Sequence, residues 1–355
     1  MSTTATAPAP RRNLFSRGLE ALLTQRIVLL AVLIVLVLAV MMSLDAAGQL
    51  SGSYNADYLA SSLISAVPLA ILGLAQLLVI LSGRGGIDLS VGSIVSLTGI
   101  FFGLAYGTWG WSFFSSLVLA IIVGGVCGAI NGALVSYIGF PPLIATLATY
   151  YAFRSLALVI SDQKPINSPE IQEFYSAAQS IELPVIGGTL PLIPLGIFTF
   201  LIPCVVIVWL VLNKTTFGRR LYAIGTNDVA AAWSGINVKP NRMAVYVLSG
   251  VLAGLVAVVT VAQFASARPD AGTSGNGMAL PAITIAVLGG VAITGGIGRV
   301  SGIVLATLLI VWLNAGILLA LPGNDGSQFQ LLALGLVLIF ASLLNGITKR
   351  RYGGL

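Results

Sequence analysis

The chain has no histidine and only two cysteines, Cys127 and Cys204, in 355 residues. Acid–base catalysis by histidine and a histidine-ligated zinc site therefore lack material. Both cysteines lie inside apolar runs, which removes a disulfide framework as well. Charge is scarce at 8%, with 11 acidic against 17 basic residues. No G-x-x-x-x-G-K-[ST] stretch occurs, so the chain has no P-loop of its own. What it has instead is 57% hydrophobic residues, 41 glycines and a mean hydropathy of +1.01. That composition belongs to an integral membrane protein and has to be read with bilayer rules. The pI near 9.5 does not indicate nucleic acid, because the basic residues sit in short segments between apolar runs, where membrane topology accounts for them.

The apolar runs cover about Ile27 to Leu44, Tyr58 to Leu81, Ile87 to Tyr106, Phe113 to Tyr137, Phe140 to Ile160, Pro191 to Asn213, Met243 to Phe264, Leu280 to Thr294, Val300 to Leu321 and Gln328 to Ile347. The first exceeds the 7–15 residues of a signal-peptide core and is read as a retained helix. An all-α polytopic fold of about ten transmembrane helices follows, with both termini cytoplasmic. The charges agree with it. The inner side collects Arg11, Arg12, Arg17, Arg26, Arg84, Lys214, Arg219, Arg220, Lys239, Arg242, Arg299, Lys349, Arg350 and Arg351, which is 14 of the 17 Lys plus Arg. Lys164 and Arg268 fall outside, together with most of the acids, and Arg154 lies within a span, to snorkel, meet a helix end or pair with Asp88 across the bundle. The expected organisation is a cytoplasmic tail over 1–26, a membrane domain over 27–347 and a short tail over 348–355.

Two loops are long. The outer one, 161–190, holds Ser168-Pro169-Glu170 ahead of apolar residues at helical spacing, which predicts a capped amphipathic helix lying over the bundle or meeting an external partner. The inner one, 213–242, contains Thr226-Asn227-Asp228-Val229-Ala230-Ala231-Ala232-Trp233-Ser234-Gly235. Capping residues, then alanines, then glycine specify a short helix. From the residues alone it is either a plain surface helix or a face of small side chains that fits another protein.

The sharpest break in the hydrophobic pattern is Gly85-Gly86-Ile87-Asp88-Leu89-Ser90-Val91-Gly92, an acid among glycines. It is echoed by Gly289-Gly290-Val291-Ala292-Ile293-Thr294-Gly295-Gly296, which lacks the acid. Glycine-interrupted hydrophobic segments in two halves of a chain are a mark of transporters with broken helices. An intramembrane acid is by default a functional-site candidate, but the topology puts Asp88 at the inner start of the third span beside Arg84, where it is better read as a cap on a helix N-terminus than as a direct contact to solute.

Four stretches together resemble the permease subunits of bacterial ABC importers for simple sugars of the ribose, xylose and galactose type: GGIDLSVGS at 85–93, PPLIATL at 141–147, RRLYAIGTNDVAAAWSGINV at 219–238, and LPAITIAVLGG with ITGGIGR inside 267–299. The resemblance implies that this chain sits in the bacterial inner membrane with a second permease chain, identical or not, a cytoplasmic ABC ATPase that binds ATP and Mg, and a periplasmic or lipid-anchored sugar-binding protein. It also implies that Thr226, Asn227, Asp228, Ala230, Ala231, Ala232, Ser234 and Gly235 form the coupling helix that docks on the ATPase. The chain departs from the family in having Gly277-Met278-Ala279-Leu280-Pro281 where acids are common, and in the extra Arg84.

A neutral polyol needs hydrogen-bonding and aromatic groups along its route, held too weakly to trap it. The candidates are Gln76, Asn131, Thr146, Thr149, Tyr150, Gln263 and Asn314. The helix-break set is Gly86, Asp88, Ser90, Gly92, Gly289, Gly290, Gly295 and Gly296. The expected function is the pathway subunit of an ATP-driven importer for a monosaccharide or related polyol, not itself an enzyme and with no cofactor or metal. The alternatives are an ABC permease for an amino acid, nucleoside or signalling sugar, and an ion-coupled secondary transporter.

Overall fold

A computed structural model describes residues 25–178, 180–181, 192–274 and 277–352. Arg11, Arg12 and Arg17 of the expected tail, residues 182–190 of the long outer loop and the last residues, 353–355, lie outside the described residues. Within them the chain is almost wholly helical: α1 (Arg26–Ala46), α2 (Ala56–Ser62), α3 (Ala66–Leu81), α4 (Val91–Gly103), α5 (Phe113–Ala133), α6 (Pro142–Ile160), α7 (Pro169–Ala177), α8 (Ile202–Lys214), α9 (Thr216–Thr226), α10 (Asp228–Trp233), α11 (Val238–Phe264), α12 (Ala279–Leu288), α13 (Val300–Ala320) and α14 (Asn324–Tyr352). A two-stranded antiparallel pairing joins Ser180–Ile181 to Ile193–Pro194, and a single antiparallel bridge joins Ile166 to Ala267. Single π-helical turns extend α4 and α5 and precede α8.

Each of the ten apolar runs contains a helix. Eight are long and apolar enough to cross a bilayer singly; α2 and α3, bent by 49° at their junction, make a ninth crossing if taken together. The chain is a polytopic all-α membrane protein. The eighth run is the departure. It was expected to reach Thr294, but α12 stops after 10 residues, about 15 Å, at Gly289 and Gly290. The length is supplied from the other side, where the loop after α11 dips into the bundle: Gly272 N–H donates to Ser96 Oγ of α4 at 3.0 Å. The start of α11 differs too. The helix begins at Val238, five residues before the apolar run, so Arg242 is not a loop residue but a buried member of α11.

The centre is α3, of which every residue but Leu69 is buried. A helix that is apolar nearly all round has to be enclosed, and α11, α12 and α13 pack most closely around it. Helices α5 and α11 meet backbone to backbone through Gly124 and Gly250, where an added Cβ on either would sit 2.3 Å or less from the other's carbonyl oxygen. Small residues at such crossings let membrane helices approach closely. Around this core α1, α5, α6, α8 and α14 present exposed apolar side chains such as Val35, Ile122, Val159, Ile207 and Leu343, as bilayer-facing helices do. The helix expected in the outer loop is α7, capped by Ser168 Oγ on Ile171 N–H and covering the ends of α4 and α5 through Phe174, Phe102 and Phe113.

Candidate functional site

The end of the bundle that carries Arg84, Arg219, Arg242 and Arg299 is its basic end. There α3 stops at Leu81, and three consecutive residues, Gly83, Arg84 and Gly85, take left-handed backbone conformations with φ of 80, 56 and 64°. Glycine adopts this region freely; Arg84 does so at a cost of about 1–2 kcal/mol. The turn folds the chain back alongside the helix it has just left. Gln76 receives it, donating from Nε2 to the carbonyl of Asp88 and accepting the Asp88 N–H at 3.3 Å. Asp88 therefore stands at the start of the third span, three residues before α4, as expected, but inside the bundle and fully buried.

The Asp88 carboxylate accepts from the N–H and hydroxyl of Ser90 on one oxygen, at 2.9 and 2.6 Å, and from the hydroxyl of Ser249 in α11 on the other, at 3.3 Å. The Ser90 hydroxyl accepts from Asn131 Nδ2 of α5 at 2.7 Å, and Asn131 Oδ1 accepts from Thr149 of α6 at 2.6 Å. Thr146 lies within 3.2 Å of the Ile87 carbonyl. A continuous polar chain thus runs Ser249–Asp88–Ser90–Asn131–Thr149 through four segments. A buried polar group without a partner is costly, and here each partner belongs to a different helix or loop, which fixes the arrangement.

Four of the seven candidate path residues, Gln76, Asn131, Thr146 and Thr149, meet at this one place. The other three do not. Tyr150 is half-buried with its ring 5.2 Å from that of Tyr151, Gln263 donates to the Ile64 carbonyl at 2.6 Å near the opposite end of α11, and only the backbone of Asn314 is engaged, by Gln330. Arg154 is exposed on α6, in line with snorkelling, and the alternative pairing with Asp88 is replaced by serine hydroxyls. Ser249 was missed because one serine in an apolar helix normally bonds its own backbone.

The glycine echo is a physical contact. Gly296 N–H donates to the Leu81 carbonyl at 3.1 Å, and a Cβ on Gly295 would lie 2.4 Å from Gly83 Cα. Gly225, at the end of α9, is wedged between them: its Cβ would fall 2.0 Å from the Leu81 oxygen and 2.4 Å from Gly296 N. Both breaks and the inner loop thus meet at one three-way backbone junction. Tyr222 of α9 adds a hydrogen bond to the Gly298 carbonyl at 2.8 Å.

From this junction α10 projects. Asn227 caps it by accepting the Ala230 N–H at 3.0 Å, and Gly235 ends it with φ of 85°. Two residues expected on its docking face point inward. Ala231 is buried, and Asp228 pairs with both Arg84 and Arg242. Arg84, expected beside Asp88, is drawn here. Partial burial opposes ionisation of Asp228, but the Arg242 and Arg84 guanidiniums outweigh it and hold the carboxyl below the ordinary carboxylate range. Val229 at 59% and Trp233 at 88% exposure form the outward face, and neither was among the expected coupling residues.

Residues 58–342 match the family model described as the permease component of branched-chain amino acid transport systems. The chain belongs to this permease family. The match contains both glycine breaks, the Asp88 chain and α10, and begins after α1. The permease is 34% identical over 267 residues to the D-allose transport system permease protein AlsC of Escherichia coli K12, covering 75% of this chain and 76% of that one. It is 36% identical over 285 residues to the autoinducer 2 import system permease protein LsrD of Photorhabdus laumondii, with 80% and 81% covered, and 35% identical over 277 residues to LsrD of Yersinia pseudotuberculosis serotype O:3. No solved structure matches. Members of such a family are transport subunits, which agrees with a site built of hydrogen bonds and backbone contacts.

Proposed function

We propose that the permease forms the translocation pathway of an ATP-driven importer for a monosaccharide or a related polyol, in the bacterial cytoplasmic membrane. The observation that carries this reading is the junction: a short helix with an exposed Trp233 stands directly on the contact between two broken helices. A force on α10 reaches both breaks through backbone atoms that have no room to yield. The basic residues around it favour the cytoplasmic side, which also puts both termini there. On this reading the ATPase is a separate subunit that binds ATP and Mg, a second permease chain completes the pathway, and a binding protein delivers the solute on the opposite face. Val229, Ala230, Ala232 and Trp233 are the docking face; Ala231 and Asp228 hold α10 in place.

The allose and autoinducer-2 names of the relatives support a small polyol as cargo, and the neutral hydroxyl and amide groups around Asp88 suit the same chemistry. The family description favours a second reading, a branched-chain amino acid. A thermal-shift screen of the cognate binding protein separates the two. The function itself is tested by uptake into proteoliposomes containing the permease, the ATPase and the binding protein. Uptake should follow internal ATP and ignore a protonophore; the opposite result would make the chain an ion-coupled transporter. Trp233→Ala should leave folding intact and weaken ATPase binding about 30-fold or more, the loss typical of an exposed aromatic anchor. Normal co-purification of that variant would remove α10 from the interface.

A further inference from the structure

Asp228 is the first residue of α10, and two arginines from distant parts of the chain converge on it. Arg84 comes from the left-handed turn at the first glycine break, and its side chain is 63% exposed. Arg242 comes from α11, with its side chain 5% exposed, and reaches Asp228 Oδ2 at 3.2 Å. The same Nη2 of Arg242 donates to the Ser82 carbonyl at 3.2 Å, so one guanidinium holds both α10 and the break. Along α11 the residues Arg242, Tyr246 and Ser249 follow at i, i+4 and i+7, which places them on one face of the helix. The last of them is the residue whose hydroxyl meets Asp88. A polar column therefore runs from the surface helix toward the buried carboxylate along one face of a largely apolar helix.

Two members of this column carry unused bonding capacity. Arg242 Nε and the Tyr246 hydroxyl are buried and have no hydrogen-bond partner in this conformation. Leaving buried donors unpaired is costly, and a purely static staple gains nothing from it. Groups with spare bonds between two fixed points are suited to exchange partners when one of those points moves.

We propose that Arg84, Asp228 and Arg242 act as a positioning clamp that carries displacement of α10, through the Arg242–Tyr246–Ser249 face of α11, into the hydrogen-bond chain around Asp88. The role rests on the importer reading above but concerns a different property: α10 can dock on an ATPase without the clamp, and the clamp decides whether docking is converted into transport. The two arms differ. The exposed Arg84 arm is free to open and close at the surface, while the Arg242 arm stays attached to Ser82 and moves as one body with the break.

The test uses the full complex in proteoliposomes. Asp228→Asn should still co-purify with the ATPase, yet solute transported per ATP should fall at least 10-fold, and Asp228→Glu should recover a substantial part of it. Ser249→Ala, which leaves the clamp intact and severs its far end, should lower the same ratio with assembly unchanged. A parental ratio in both Asp228→Asn and Ser249→Ala overturns the proposal. Should Asp228→Asn fail to assemble, Arg84→Gln and Ser249→Ala decide it by the same ratio. A spin-label distance between α10 and the 82–90 turn provides a readout independent of the energy source. It should broaden in Asp228→Asn, and an unchanged distribution rejects the clamp even if transport proves not to be driven by ATP. Loss of ATPase binding in Trp233→Ala with normal coupling in the clamp variants would instead leave the importer reading standing and the clamp refuted.

Discussion

The two glycine breaks share a spacing and differ in what they do with it. The first, Gly83 to Ser90, turns back into the bundle and buries a carboxylate among hydroxyl and amide groups from α3, α5 and α11. The second, Gly289 to Gly296, stays at the basic end, with Ile293 and Ile297 exposed at 40% and 45% and a link to the first through backbone atoms. Glycine spacing thus sets where the chain can bend. The residue lying between the glycines decides whether the bend becomes a side-chain network or remains a backbone contact.

The largest effect should come from removing the contact that joins the breaks. Gly225→Val places side-chain atoms against the Leu81 carbonyl and Gly296 N–H, where the obstruction is backbone and cannot rotate away. A loss of about 4 kcal/mol or more, the range of severe overpacking, should abolish the monodisperse species in detergent. Next comes the difference between the breaks themselves. Asp88→Ala strands the Ser90 and Ser249 hydroxyls and should cost about 2–3 kcal/mol in thermal stability, whereas Asp88→Asn keeps an acceptor and should cost about half as much. Transport lost in Asp88→Asn with folding intact would restore a role for the charge. An acid placed in the second break one position beyond the match to Asp88, Ile293→Asp, lands on an exposed position and should shift stability by less than about 0.5 kcal/mol. A large loss there would mean that the second break is buried against a partner.

Another small effect is electrostatic. The folded pKa of Asp228 lies below its ordinary 3.8 because of the two arginines, with burial acting against them. A depressed folded value means the contribution is complete above about pH 4 to 5 and is lost as the pH falls through the folded pKa. The difference in melting temperature between the parent and Asp228→Asn should therefore stay constant from pH 7 to pH 5 and close below pH 4, at about 1 kcal/mol, the upper end for surface pairs, because Arg242 is covered while Arg84 is exposed.

Much of this was legible in the residues. Length and hydropathy are enough to find every helix that meets lipid, so the ten runs, the turn at Gly85 and the cap at Asn227 could all be read. Polar side chains stranded in apolar helices must find partners, which is why Gln76, Asn131, Thr146 and Thr149 were candidates and did converge. Depth was not legible. Three left-handed residues in succession reverse the chain, and nothing in the hydropathy of 82–90 distinguishes a re-entrant turn from a surface loop. Nor can six residues of α10 reveal their inward face, since alanines suit both; only the Asp228 pairing sets Ala231 inside and Trp233 outside. Two signals were present but unused: the polar stripe Arg242, Tyr246, Ser249 along an apolar helix, and the matched small-residue pairs Gly124/Gly128 and Gly250/Gly254 that seat α5 on α11.

The enclosure of α3 has a consequence for how such permeases diversify. Because all of this helix but Leu69 is covered by its own chain, it has almost no surface left for lipid. It works as an axle. Side chains on the outer helices α1, α5, α6, α8 and α14 are then free to drift without disturbing it, and a saturation-mutagenesis map of the permease should show α3 as a band of uniform intolerance whatever solute is used for selection.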